Sequence, residues 1–168
     1  GGKRKARPFT AMAIMSNGGG AQVAIRHAIQ GPVLTHASAC ASSAIAIGEA
    51  MRAIADGRLD VAVAGGAEAP LEAPLFGVFD GTRALSPIDG TDPAASCKPF
   101  SSRRSGLVLG EGATFLVLEA EDHARARGAV IHGYLVGYGV ACDAHHIGMP
   151  ASEGQVRCLR AALEDAGL

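Results

Sequence analysis

Tryptophan is absent from this sequence, and aromatic residues make up only 4% of it. Small and aliphatic side chains must therefore fill the interior. With 23 glycines, the chain suits helices packed closely on a sheet. An excess of either charge is also missing: 15 Lys and Arg stand against 16 Asp and Glu. Bulk electrostatics gives no case for nucleic-acid binding. The basic run Lys3, Arg4, Lys5 and Arg7 reads equally as a solvated start or as a docking patch. No apolar stretch is long and uncharged enough to span a bilayer, and the first residues do not read as a secretion signal. Paired CxxC spacings are lacking too. Cys40, Cys97, Cys142 and Cys158 are irregularly placed, so free thiols in a reducing cytoplasm are the expectation.

Hydrophobic residues at 48% and charged residues at 18% describe a globular chain. Its 168 residues match the size of one ordinary domain. The chain opens on Gly-Gly-Lys rather than Met, so a fragment of a longer protein is expected. Apolar spacing predicts a helix over 10–30, interrupted at Gly18-Gly19-Gly20, whose cost implies a close crossing. Strand 32–37, helix 40–56 and the apolar run Val61-Ala62-Val63-Ala64 follow. Their strand–helix–strand order favours a parallel sheet. A short helix or compact loop over 72–81 comes next, then a Ser/Asp/Pro/Gly-rich loop over 86–105 and a strand from Ala113 to Leu118. A charged helix from Glu121 to Arg127 precedes a strand over 130–140, whose Gly133, Gly137 and Gly139 would admit another backbone or a ligand. An amphipathic helix over 153–166 ends the reading.

The most informative run is His36-Ala37-Ser38-Ala39-Cys40-Ala41-Ser42-Ser43. It puts a cysteine among small residues at a strand-to-helix junction. Unpaired N–H groups and the positive helix end there favour a thiolate and can hold a thioester oxyanion. On position alone, an inert cysteine packed as a small apolar residue is an equal reading.

The stretch GPVLTHASACASSAIAIGEAMRAIADGRLDVAVAGGAE over 31–67 resembles the nucleophile region of the β-ketoacyl-acyl carrier protein synthases. Arg83-Ala84-Leu85-Ser86, Lys98-Pro99-Phe100, Gly106 to Gly112 and Leu116 to Glu119 extend the likeness, which runs from about Pro8 to Leu168. The resemblance implies an α/β, thiolase-like layered fold (αβαβα), here incomplete. Residues 1–120 would belong to the N-terminal half and 121–168 would begin the C-terminal half. It implies Cys40 as the nucleophile, with its own N–H in the oxyanion hole.

The run Asp143-Ala144-His145-His146-Ile147 is similar to an Asp-Ala-x-His run of that family. The resemblance implies that His146 donates Nε2–H to a thioester carbonyl and stabilises the enolate formed on decarboxylation. A metal set of Cys142, Asp143, His145 and His146 would be crowded, with four ligands in five residues. A pair of ordinary loop histidines is the plainer alternative. The resemblance further implies that Phe79, Leu107 and Gly148 contact substrate, and that Lys5 and Arg83 dock an acidic carrier protein. Gly148 stands where a Thr is usual, Leu107 replaces a frequent Phe, and Ser105 replaces a common acidic residue. The family's second catalytic His, its Lys and its Gly-rich C-terminal loop are not in this sequence.

The implied chemistry is acyl transfer to Cys40 followed by decarboxylative condensation with a malonyl thioester, in fatty acid or polyketide synthesis. Implied partners are acyl carrier protein, which brings its own phosphopantetheine arm, and a second copy of the chain pairing through strand 32–37. No metal or redox cofactor, nucleic acid or membrane is implied. An acyl-CoA thiolase of the same fold and a non-catalytic ketosynthase partner subunit are the alternatives. Such partner subunits typically lack the cysteine.

Overall fold

The computed structural model describes residues 9–168. Lys5, the first of the two docking candidates, lies outside the described residues. Eight elements follow in chain order: α1 (Thr10–Ile14), α2 (Gly18–His27), α3 (Ser42–Ala55), β1 (Val61–Glu68), α4 (Ala73–Gly81), β2 (Gly112–Glu119), α5 (Glu121–Ala126) and α6 (Ser152–Asp165). Short 3-10 turns at Ala39–Ala41 and Pro93–Ser96 complete the order. The chain divides into two units. One holds the described residues up to Ala64 together with Leu116–Leu168; the other is Gly65–Phe115.

In the first unit, the helix expected over 10–30 is two helices that break at Met15–Asn17, ahead of the glycines. The glycines open α2 rather than interrupt it. A Cβ at Gly18 would lie 2.8 Å from the Met12 carbonyl oxygen, so the small residues serve the turn between the helices. Helix α3 forms where expected, with its apolar residues Ile45, Ile47, Met51 and Ile54 half-buried. Tyr138 lies against it where α3 carries Gly48. A Cβ there would overlap the ring, and Arg52 stacks over the same ring at 4.7 Å from its centroid.

Two expected strands are not strands. Residues 32–37 and 130–140 make no ladder among the described residues. A strand is defined by its pairing, and neither segment has a paired neighbour there. The expected parallel sheet is absent for the same reason. The described sheet has two strands, β1 and β2, and Ala120 N–H donates to the Asp60 carbonyl at 2.9 Å. The start of β1 thus meets the end of β2, an antiparallel register. Val61–Ala64 and Leu116–Glu119 belong to the first unit, and Gly65–Glu68 and Gly112–Phe115 to the second.

Two of the glycines of 130–140, Gly137 and Gly139, do admit another backbone, that of α6, while Gly133 faces open space. Cβ atoms at Gly137 and Gly139 would overlap the carbonyls of Ala162 and Cys158. Tyr138 N–H donates to Asp165 Oδ2 at 2.8 Å, fastening the segment to the end of α6. Glu119, leaving β2, accepts from Arg127 Nε at 2.7 Å and Nη2 at 2.6 Å, and His123 Nδ1 lies 2.5 Å from its Oε1. These hydrogen bonds hold the Glu119 carboxyl at about 2, well below its ordinary value.

In the second unit, α4 forms over the span read as a short helix, with Pro74 in its first turn. The loop over 86–105 is built on side chains. Ser96 is buried, and its Oγ accepts the Asp89 N–H at 2.8 Å. Asp89 Oδ1 accepts from Thr91 Oγ1 at 2.8 Å and Thr91 N–H at 3.1 Å, and these bonds hold its carboxyl at about 2. Ser105 Oγ and Ser86 Oγ share a hydrogen bond of 2.8 Å, so the departure at 105 is taken up locally.

The apolar core is small. Among the described residues, the buried apolar side chains are small ones, such as Ala64 and Ala124 at 6% and 4% exposure. Met12, Ile25, Leu34, Val130 and Leu159 are all more than half exposed.

Candidate active site

The chain leaves the extended segment 32–37 and turns sharply before α3. Ala39 carries φ +48°, a left-handed conformation that costs a residue with a Cβ about 1–2 kcal/mol. The turn is braced by one side chain. Ser42 Oγ accepts the Ser38 N–H at 2.8 Å and donates to the Ala39 carbonyl at 2.8 Å. Ala41 N–H closes the turn on the Ser38 carbonyl at 3.1 Å.

Cys40 sits at the centre of this elbow and is exposed. Among the described residues its N–H donates to no protein acceptor. The N-cap of α3, Ala41, makes no side-chain cap, so the positive end of a 14-residue helix is open beside the thiol. An exposed sulfur, a free N–H and an uncapped helix end are the parts a covalent acyl carrier needs.

His146 lies in the loop that joins 130–140 to α6. Its Nδ1 accepts the Gly148 N–H at 3.0 Å. In the neutral imidazole this leaves the proton on Nε2, a donor pointing away from its own backbone. The loop is pinned at both ends by Asp143. Oδ1 accepts from His145 N–H at 3.0 Å, and Oδ2 accepts from Ala151 N–H, the N-cap of α6, at 2.8 Å. These backbone donors draw the Asp143 carboxyl below its ordinary value. Arg157 Nη2 holds the Cys142 carbonyl at 3.2 Å. Gly154 makes room for the Asp143 side chain, since a Cβ there would overlap it.

A shallow hollow at His146 is lined by Cys142, Asp143, Ala144, His145, His146 and Ile147. None of these comes from the Cys40 elbow, and no hydrogen bond joins Cys40 to His146 among the described residues. Gly148 is bonded to His146, and both His146 and Cys40 belong to the first unit. Among the described residues no group of three His, Cys, Asp or Glu side chains could hold a metal ion.

The other candidates belong to the second unit. Phe79 is half-buried near the end of α4. Leu107 is 53% exposed and forms a parallel bridge with Leu85; its N–H donates to the Ala84 carbonyl at 2.8 Å. Arg83 is exposed with φ +57°, and its N–H donates to Asp80 at 2.8 Å.

Sequence reasoning passed over two residues of this arrangement, Ser42 and Asp143. Ser42 was legible as a short hydroxyl near a helix start, a type that bonds local backbone. Asp143 was visible only as part of a motif.

A cysteine at the turn into a helix, in a chain of mixed helix and strand, fits the thiolase-like class of fold. Comparison with known proteins makes this specific. The family Beta-ketoacyl synthase, N-terminal domain, matches residues 1–124, and the chain belongs to this family. It is 41% identical to the 3-oxoacyl-[acyl-carrier-protein] synthase 2 of Rhizobium meliloti (strain 1021), over 99% of this chain and 40% of that protein. It is 40% identical to the synthase of the same name from Staphylococcus aureus, over 99% of this chain and 41% of that protein. The chain therefore spans about two fifths of the length of these relatives.

Among solved structures, a Beta-ketoacyl synthase from Burkholderia phymatum STM815 superposes with TM-score 0.91 at 37% identity, over 99% of this chain and 40% of that one. The ketosynthase assembly AntDE:AntF, a type II polyketide synthase acyl-carrier protein in complex with its ketosynthase, gives 0.93 at 32% identity, over 99% of this chain and 41% of that one. The fold class is that of the ketosynthases: layered, thiolase-like and α/β.

Proposed function

We propose that this chain is the nucleophile-bearing part of a decarboxylating condensing enzyme that extends acyl thioesters in fatty acid or polyketide synthesis. The observation that carries the reading is the Cys40 elbow, with an exposed sulfur beside its own unpaired N–H. Cys40 thiolate attacks an acyl thioester carbonyl. The oxyanion takes a hydrogen bond from the Cys40 N–H, the carrier thiolate leaves and takes up a proton, and the acyl group stays on sulfur.

A malonyl thioester then loses CO2. The electron pair of the broken C–C bond becomes an enolate, whose oxygen the Nε2–H of His146 stabilises in this proposal; the tautomer set by Gly148 supports that role. The enolate carbon attacks the acyl-enzyme, expels the Cys40 thiolate and yields a β-ketoacyl thioester longer by two carbons. The acyl and malonyl groups arrive on acyl carrier protein, and its phosphopantetheine arm is part of the substrate. Phe79, Leu107 and Gly148 are proposed to contact that substrate, and Lys5 and Arg83 to dock the carrier.

The match ending at residue 124 supports a boundary between thiolase-like halves near 120. The unpaired backbone of residues 32–37 supports pairing with a second copy across a twofold axis. Among the described residues no helix is long and apolar enough to cross a membrane. We place the enzyme in the cytoplasm, in keeping with its four free cysteines.

The test uses the intact protein. Acyl-carrier thioester should leave an acyl adduct on Cys40, read by mass spectrometry of the peptide. Added malonyl thioester should release CO2 in step with product. Condensation without CO2 release would make the enzyme a thiolase. A second reading, a partner subunit, draws on the likeness to the ishigamide ketosynthase/chain length factor, with TM-score 0.87 and 36% identity over 96% of this chain and 38% of that one. No adduct at Cys40, with activity appearing only beside a second ketosynthase chain, would favour it.

A further inference from the structure

We propose that Ser42 is the positioning residue of the nucleophile elbow, holding the Cys40 N–H free and aimed for the thioester oxyanion. The inference rests on Cys40 being the acyl carrier, as proposed above. Ala39 occupies the left-handed region, at φ +48°, without being glycine. A side chain there favours relaxing to negative φ, which would swing the following peptide, and the Cys40 N–H belongs to that peptide.

Ser42 opposes this from both sides. Its hydroxyl hydrogen goes to the Ala39 carbonyl at 2.8 Å, and its oxygen takes the Ser38 N–H at 2.8 Å. One hydroxyl thus clamps the residues on either side of the strained torsion. The Ser42 N–H adds a third link to the Ala39 carbonyl. The Ala39 carbonyl and the Ser38 N–H are fully occupied, and the Cys40 N–H is left without a partner among the described residues. Ser42 touches neither sulfur nor substrate in this scheme; it acts through the backbone.

Two reactions of the same sulfur separate this role from general support. Alkylation by iodoacetamide builds no oxyanion, whereas acyl transfer from a thioester does. In the intact protein, Ser42→Ala should lower the acyl-transfer rate at Cys40 roughly 10- to 100-fold, less than outright loss of an oxyanion donor because the N–H is misaimed rather than removed. The alkylation rate of Cys40 should stay within about twofold, since it follows the thiolate. Ser42→Thr, which keeps the hydroxyl, should restore the wild-type ratio of the two rates.

Equal falls in both rates, or an unchanged acyl-transfer rate, overturn the proposal. Should Ser42→Ala fail to fold, Ala39→Gly removes the strain: in that background Ser42→Ala should leave the ratio of the two rates close to that of Ala39→Gly alone, and a selective loss of acyl transfer there overturns the strain argument. A wild-type protein that is alkylated at Cys40 yet never acylated there sinks the nucleophile itself, and that result is read before any variant is made.

Discussion

The Cys40 elbow and the His146 loop lie in the same unit and solve opposite problems. At the elbow, backbone strain at Ala39 is held by a neutral hydroxyl four residues or fewer away, and the exposed sulfur makes no hydrogen bond among the described residues. At the loop, the His146 ring is itself tied down through Nδ1 by the Gly148 N–H. The loop around it is pinned by a carboxylate, Asp143, which reaches eight residues along the chain to Ala151. A nucleophile needs its backbone fixed and its side chain free. A proton donor needs its tautomer fixed. Both are built from nearby sequence, the first by Ser42 at the start of α3 and the second by Gly148 two residues on.

The largest effect expected from breaking this comparison is at the elbow. Cys40→Ala should abolish the acyl adduct and lower condensation by roughly 10³-fold or more, measured by peptide mass spectrometry and product formation. Labelling sharpens the same point. Cys40, Cys97 and Cys142 are all exposed, so accessibility alone predicts similar iodoacetamide rates. Faster alkylation of Cys40 in a timed peptide map marks activation, and equal rates count against it.

At the loop, His146→Ala should slow malonyl decarboxylation roughly 10²- to 10⁴-fold while leaving acylation of Cys40 intact. A loss of both would tie the two stations into one unit, and a loss of neither would leave His146 an ordinary loop histidine. Gly154→Ala forces a methyl into the Asp143 side chain. It should destabilise the protein by about 1–3 kcal/mol, seen as a lower Tm, because overpacking displaces the tether.

The smallest effect is that of pH. The Glu119 carboxyl is held at about 2 by hydrogen bonds from Arg127 and His123, below an ordinary value of 4.5. A depressed carboxyl stabilises the fold fully above its ordinary value, and that contribution fades as pH falls from about 4.5 towards about 2. Melting curves through that window should show a gentle fall in Tm, and Glu119→Gln should flatten it.

Helices α3, α5 and α6 and strands β1 and β2 were legible because their periodicity and stop residues are local, while the span of α4 read equally as a short helix or a compact loop. The segments 32–37 and 130–140 have equally strand-like composition but do not pair, since pairing needs a neighbour that composition does not name. The break between α1 and α2 falls at Met15–Asn17 rather than at the glycines, because the Met12 carbonyl needs a small residue after the turn. Cys40 was legible from its small neighbours and its junction. His146 was visible only through a motif.

The order of residues alone determined that a cysteine would sit at a helix start and that glycines late in the chain would leave room for a close neighbour. Only the tertiary structure decided that this neighbour is α6, that the sheet is antiparallel, and that Ser42 and Asp143 hold the two stations. The physical reason is range. Helix periodicity and turn chemistry act within a few residues, whereas a hydrogen bond or an overlap depends on which distant segments the fold has brought within 3 Å of each other.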